Sequence, residues 1–230
     1  MAEDEAHEAY TKSVIMDFKK AAESQDGWKQ IYRTDDVMVL TQKTEGSIVK
    51  FKCITKQVKD AEPEYVFSSL CDREYLATKE SNDLKFDVVD KIDCCNEVIH
   101  RVQKMPLMDD RDFVYQLIRY HNKEKTDYIL YSKSVNTKIK PEKGTTRGHI
   151  YVQGTLITKV PNVGTLVYTL SHVDMGGKVP STLMGDTMVK QMTKKMLKQF
   201  KKKAEDYKSW QAQHSNLDQY WLQTVDWMEE

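Results

Sequence analysis

The chain has 230 residues, 35 of them basic and 35 acidic, with 40% hydrophobic and 30% charged residues. That length fits one or two globular domains, and the composition excludes low-complexity disorder, while zero net charge argues against a generic nucleic-acid binder. No apolar run approaches the ~18 residues of a membrane-spanning helix, and the acidic start MAEDEAHEAY lacks the basic and apolar regions of a signal peptide.

Residues 5–24 repeat Ala9, Val14, Ile15, Phe18, Ala21 and Ala22 at helical spacing, and Asp26-Gly27 is a stop signal. The period then becomes two. Val37–Leu40 and Ile48–Thr55, separated by Glu45-Gly46, predict a hairpin with Val49, Phe51 and Cys53 on one face and Lys50 and Lys52 on a wet one. Residues 61–80 return to helical spacing with a break at Cys71-Asp72. Six strands follow, at 86–92, 97–103, 112–120, 127–135, 147–160 and 165–174, joined by short turns. Gly176-Gly177 and Pro180 close that run, and Ser181 to about Trp210 predicts one long helix. The order makes the class α+β, with one curved antiparallel sheet whose concave side only the last helix is large enough to cover.

The charge is unevenly spread. Residues 1–26 hold seven acids against three lysines, and 211–230 hold four acids and no Lys or Arg. Between them, residues 180–210 hold eight lysines against three acids, so an anionic partner should meet the chain there. Four cysteines (Cys53, Cys71, Cys94, Cys95) without Cys-x-x-Cys spacing predict a reduced, cytoplasmic protein. Six histidines show no metal-ligand spacing, and there is no phosphate-binding glycine loop or nucleophile elbow. No metal, cofactor or catalytic residue is expected.

The segment Met105-Pro-Leu-Met-Asp-Asp-Arg-Asp-Phe-Val-Tyr115 resembles the Arg-Asp-Phe-Val signature of the StAR-related lipid transfer (START) domains. His172-Val-Asp-Met-Gly-Gly-Lys-Val-Pro180 resembles that family's lead into its C-terminal helix, and Gly27-Trp28-Lys29 with Val37-Met38-Val39 resembles its opening strands. The pattern is similar to that of the phosphatidylcholine-transfer-protein-like members. The resemblance implies a helix-grip fold over 1–210, with 211–230 as an acidic, aromatic tail. It also implies one lipid held in an internal cavity, with no chemistry performed on it. Family members often carry an Arg six residues beyond the signature Arg, paired with an acid on the next strand. Here those places are Leu117 and Val98, so the resemblance implies that the deep ion pair is missing and that a phospholipid fits better than a sterol.

If Leu117 faces inward, so do Phe113, Tyr115 and Arg119. Opposing Leu117 to Val98 then sets His100 against Tyr115, Val102 against Phe113 and Asn96 against Arg119. His100 and Tyr115 either contact a polar lipid end or satisfy each other. They would also be the only acid/base pair for an enzyme of this fold. Met184, Met188, Met192, Met196 and Phe200 form a stripe at spacing four on the last helix, either core or an adaptable lid. Lys194, Lys198, Lys201 and Lys202 are the expected contacts to an anionic membrane surface. The resulting expectation is a monomeric lipid carrier, transiently at membranes, that exchanges its lipid there and binds no nucleic acid. A helix-grip enzyme and a lipid-sensing scaffold are the alternatives.

Overall fold

A computed structural model describes residues 2–44, 48–79, 82–105, 107–180, 185–214, 216–224 and 228. Helix α1 (Ala2–Glu23) precedes strands β1 (Lys29–Arg33), β2 (Val37–Thr41) and β3 (Ile48–Thr55). The short helices α2 (Pro63–Cys71) and α3 (Arg73–Lys79) follow. Then come β4 (Asp83–Lys91), β5 (Asn96–Gln103), β6 (Asp110–His121), β7 (Asp127–Ser134), β8 (Thr145–Arg147), β9 (His149–Val160) and β10 (Gly164–Asp174). The long helix α4 (Asp186–Gln213) and a 3-10 turn at Tyr220–Leu222 complete the described elements. Ser181–Met184, at the start of the expected last helix, and Glu45-Gly46 lie outside the described residues.

The strands form one sheet in the order β1-β2-β3-β10-β9-β7-β6-β5-β4, antiparallel along that path, with β8 added parallel to β6. This is the helix-grip arrangement. Register carries one side-chain face across the sheet: Val37, Thr55, Val167, Ile157 and Tyr128 stand side by side over five strands. That inner face meets α2 and α4. Ile118, Ile129, Leu156 and Leu170 stand on the outer face, packed against Ile15, Phe18 and Ala22 of α1.

The three α1 residues recur at helical spacing and are buried, as an amphipathic helix on a sheet requires. Phe18 meets Tyr131 edge-on at 5.6 Å, and Gly154 permits that approach, since a Cβ there would lie 2.6 Å from the Phe18 ring. The Lys50/Lys52 face is therefore not wet at Lys52. That side chain is fully buried and its ammonium donates to the carbonyls of Ala21 (2.6 Å) and Ser24, closing the C-terminus of α1. Burial, helped by the charge of Lys50, pushes the Lys52 ammonium down to about 8.

Helix α4 bridges the inner face and is held differently at its two ends. Its N-terminal half packs Val189, Met196 and Leu197 on Val37, Val39 and Cys53, with Lys29 pairing Asp186 at 2.6 Å in the open. Its C-terminal half is tied to Asp72, a buried carboxylate between α2 and α3. Asp72 Oδ1 caps α3 by accepting from the Tyr75 amide (2.9 Å). Its Oδ2 accepts from Tyr207 Oη (3.0 Å) and Trp210 Nε1 (3.2 Å), while Tyr75 Oη donates to the Lys203 carbonyl (2.8 Å).

Candidate functional site

The middle of the inner face, between the two footings of α4, is apolar. Ile99, Phe113, Tyr115, Leu117, Ile150 and Val173 form one buried cluster, flanked by Phe86, Leu130 and Met175. Because alternate residues of a strand share a face, β5 contributes Ile99 and β6 contributes Phe113, Tyr115 and Leu117.

The register differs by one residue from the expected one. Tyr115 opposes Ile99, Leu117 opposes Glu97, and Val98, His100 and Val102 oppose Gln116, Val114 and Asp112. Asn96 opposes Ile118, not Arg119. A one-residue slip turns a whole strand over, so Val98, His100 and Val102 stand on the outer face, away from α4. The physical reason is that β6 is buried on both sides, leaving no wet face to phase it against its neighbour. His100 and Tyr115 thus lie on opposite sides and form no acid/base pair. His100 Nε2 instead meets Asp112 Oδ2 at 2.8 Å. Burial pushes the Asp112 carboxyl up, but hydrogen bonds from His100 and the Glu142 amide and the charge of Arg147 outweigh it and hold it low.

The expected lack of a deep ion pair is also corrected. Arg119 Nη1 bonds Glu97 Oε2 at 2.9 Å with both side chains buried, and Arg73 Nη2 reaches the same oxygen. The Tyr220 ring of the C-terminal segment lies 5.3 Å from the Arg119 guanidinium and seals that end. The acid opposes Leu117 as the pattern requires; the guanidinium comes from two residues further along β6.

At the other end, between α3, α4 and β5, opens a cavity of about 300 Å³ lined by Lys79, Asn82, Arg101, Gln103, Gln199, Lys202 and Lys203. Arg101 is clamped by Asp83 through two bonds of 2.8 Å, Gln103 Nε2 bonds the same carboxylate at 3.1 Å, and Lys79 pairs Asp206 at 3.1 Å. On the floor, burial pushes the Tyr115 phenol up, and the neighbouring Arg101 draws it back.

On α4 the expected stripe divides. Met196 and Phe200 turn inward, but Met192 is 53% exposed. Met184 lies outside the described residues, as does the side chain of Met188. With 3.6 residues per turn, a strict spacing of four drifts around the helix, and the buried line runs instead through Val189, Thr193, Leu197, Ala204 and Tyr207. The lysines divide as well. Lys190, Lys194, Lys198 and Lys201 share one flank, where Lys190 and Lys194 lie 4.8 and 4.5 Å from the Tyr32 ring. Lys202, one turn beyond Lys198, lines the cavity together with Lys203.

The two signature segments meet. The buried Arg111 side chain donates to the carbonyls of Met175 (2.5 Å), Gly176 (3.2 Å) and Asp109, so it latches the 105–110 loop to the link that leads into α4. Gly176 has φ +67°, and a Cβ there would lie 2.4 Å from the Arg147 carbonyl, which is why glycine stands at this position. Glu97, Arg101, Asp83 and Asp72 escaped the sequence reading. Alternation of Glu97, Ile99, Arg101 and Gln103 along β5 was the available signal.

The START domain family model matches residues 10–208. No curated protein matches the sequence. Human STARD10 is similar in structure, with a TM-score of 0.77 at 22% identity over 90% of this chain and 84% of that one. Human StAR-related lipid transfer protein 5 gives 0.74 at 16% identity over 88% and 98%. A StAR-related lipid transfer protein fragment from Xanthomonas axonopodis gives 0.58 at 20% identity over 78% and 99%.

Proposed function

The chain belongs to the START domain family, and from that premise we propose that it carries one phospholipid between the inner face of its sheet and α4, and exchanges it at anionic membranes without chemical change. The observation that carries the reading is the apolar floor of Ile99, Phe113, Tyr115, Leu117, Ile150 and Val173 under a bridging helix. An acyl chain gains ~0.8 kcal/mol per CH₂ on leaving water. A bilayer already supplies that burial, so a carrier must match it with a dry wall and must open at the membrane. Phospholipid is favoured over sterol because cationic and amide side chains line a cavity between α3, α4 and β5. The Arg119–Glu97 pair gives no preference for sterol, since Arg73 and Tyr220 already occupy it.

Within this reading Phe113, Tyr115, Leu117, Met196 and Phe200 touch the lipid. Helix α4, hinged at Gly176-Gly177, and the 105–110 loop form the gate, and Lys194, Lys198 and Lys201 hold it at the surface. The protein acts as a cytoplasmic monomer. The test is transfer of a labelled phosphatidylcholine from donor to acceptor vesicles. The wild-type chain should accelerate transfer well above the protein-free rate, and Leu117→Asp, placing an unpaired carboxylate on the floor, should abolish the acceleration with circular dichroism unchanged. A wild-type rate equal to the blank would sink the reading.

A further inference from the structure

We propose that Asp93, Cys94 and Cys95, in the turn between β4 and β5, hold one thiophilic metal ion, zinc by the fit of the donors, and that this ion fastens the C-terminal segment to the sheet. Two thiols and a carboxylate stand together there. The Cys94 and Cys95 sulfurs are 3.4 Å apart, and with an Asp93 carboxylate oxygen they lie within 4.8 Å of one another. The backbone fixes the turn before any ion arrives. The Ile92 and Asp93 amides both donate to the Asn96 carbonyl (2.9 and 3.1 Å), and the Arg119 amide donates to the Cys95 carbonyl (2.8 Å). Asp93 Oδ1 accepts from the Cys95 amide at 2.6 Å, which engages one carboxylate oxygen of the two. A zinc–sulfur bond is about 2.3 Å, so sulfurs 3.4 Å apart subtend about 95° at the ion, close to a tetrahedral site. Thiolates select zinc and its soft neighbours over magnesium and calcium. The two thiol protons pass to solvent as the zinc–sulfur bonds form. A fourth donor is in reach: the Cys95 thiol donates to the Gln223 carbonyl at 3.3 Å, and once its proton has left, that oxygen faces the ion. Cys95 is buried and Cys94 half-buried, so the ion enters past Cys94. Gln223 directly follows Tyr220–Leu222, whose Tyr220 ring covers Arg119 and whose Trp221 bonds Ser68. The ion therefore locks the segment that seals that end of the sheet. Cys53 and Cys71 belong to separate apolar clusters and take no part.

The test is titration of the full, reduced, metal-free chain with cadmium, then with zinc in competition. The wild-type chain should take one cadmium ion, with an ultraviolet thiolate-to-cadmium charge-transfer band equivalent to two thiolates, and zinc should displace it. Cys94→Ser should halve the band and weaken binding about a hundredfold or more, and Asp93→Asn should weaken it about tenfold with the band at full height. A readout on the unaltered chain stands beside these, in case a variant fails to fold: zinc should protect Cys94 from iodoacetamide, followed by peptide mass. Hydrogen exchange over 217–223 should slow with zinc in the wild type and not in Cys94→Ser. A wild-type chain with no cadmium band, a band unchanged in Cys94→Ser, or Cys94 alkylated equally with and without zinc overturns the site. A cadmium band that zinc does not displace overturns zinc as its ion. Exchange over 217–223 that is indifferent to zinc overturns the tie to the C-terminal segment.

Discussion

Arg119 is a charge in a nearly waterless place, and what keeps it there is Glu97. Removing one partner of a buried pair leaves the other uncompensated, which costs about 3–5 kcal/mol, whereas replacing both by apolar groups is often neutral. Glu97→Leu should therefore lower the urea midpoint strongly, and Glu97→Leu with Arg119→Leu should recover most of the loss. A double variant as unstable as the single one would mean that the pair is not the source of the effect. Asp112 gives a pH test on the outer face. Its folded carboxyl is held below the ordinary 3.8, so the unfolded chain binds more protons as the pH falls. The contribution is fully present above pH 3.8 and is lost as the pH drops through the lower, folded value. Asp112→Asn should thus lose stability at neutral pH and show a shallower acid limb below pH ~4. An acid limb as steep as that of the wild type would remove Asp112 from the account.

The two halves of α4 are fastened by different chemistry. Asp72 supplies one helix cap and accepts two further bonds, from Tyr207 and Trp210. At ~1 kcal/mol for the cap and a similar amount for each bond, Asp72→Ala should cost about 2–4 kcal/mol. Hydrogen exchange should quicken in 203–213 more than in 189–197. In the unaltered chain the order is reversed: residues 186–196, resting on apolar contacts and an exposed ion pair, should exchange before 200–210. Uniform protection along α4 would contradict a gate that lifts from its N-terminal end. The outer lysine flank belongs to the same element. Lys194→Glu with Lys198→Glu and Lys201→Glu should weaken sedimentation with anionic vesicles and leave neutral vesicles nearly unaffected. Wild-type binding that does not change between low and high salt would exclude electrostatic docking.

For the molecule as a whole, the order of helices and strands was legible because period-two and helical patterns, turn residues and the glycines at 176 and 177 each announce themselves locally. The Cys71-Asp72 break is where α2 gives way to α3. Facing was not legible where both sides of an element are covered. Lys52 reads as a solvated residue until α1 is laid over it, and β6 has no polar alternation to fix its register against β5. The site was readable in part: Phe113, Tyr115 and Leu117 fall on the floor, while the cavity cations come from α3, β5 and α4, which only the tertiary fold brings together. The C-terminal segment illustrates the same limit. Tyr220, Trp221 and Met228 wrap the sheet end, with Trp221 Nε1 bonded to Ser68 Oγ at 3.0 Å and Met228 buried in the outer core, although composition marks that segment only as acidic and aromatic. On the proposed reading, the apolar floor and the bridging helix hold a single amphipathic molecule. Native mass spectrometry of the full chain after incubation with mixed phospholipid vesicles tests that directly. The predicted spectrum shows the protein with one phospholipid adduct and no second one, the adduct disappearing in Leu117→Asp; a folded wild-type chain that emerges from the vesicles with no lipid mass attached would contradict it.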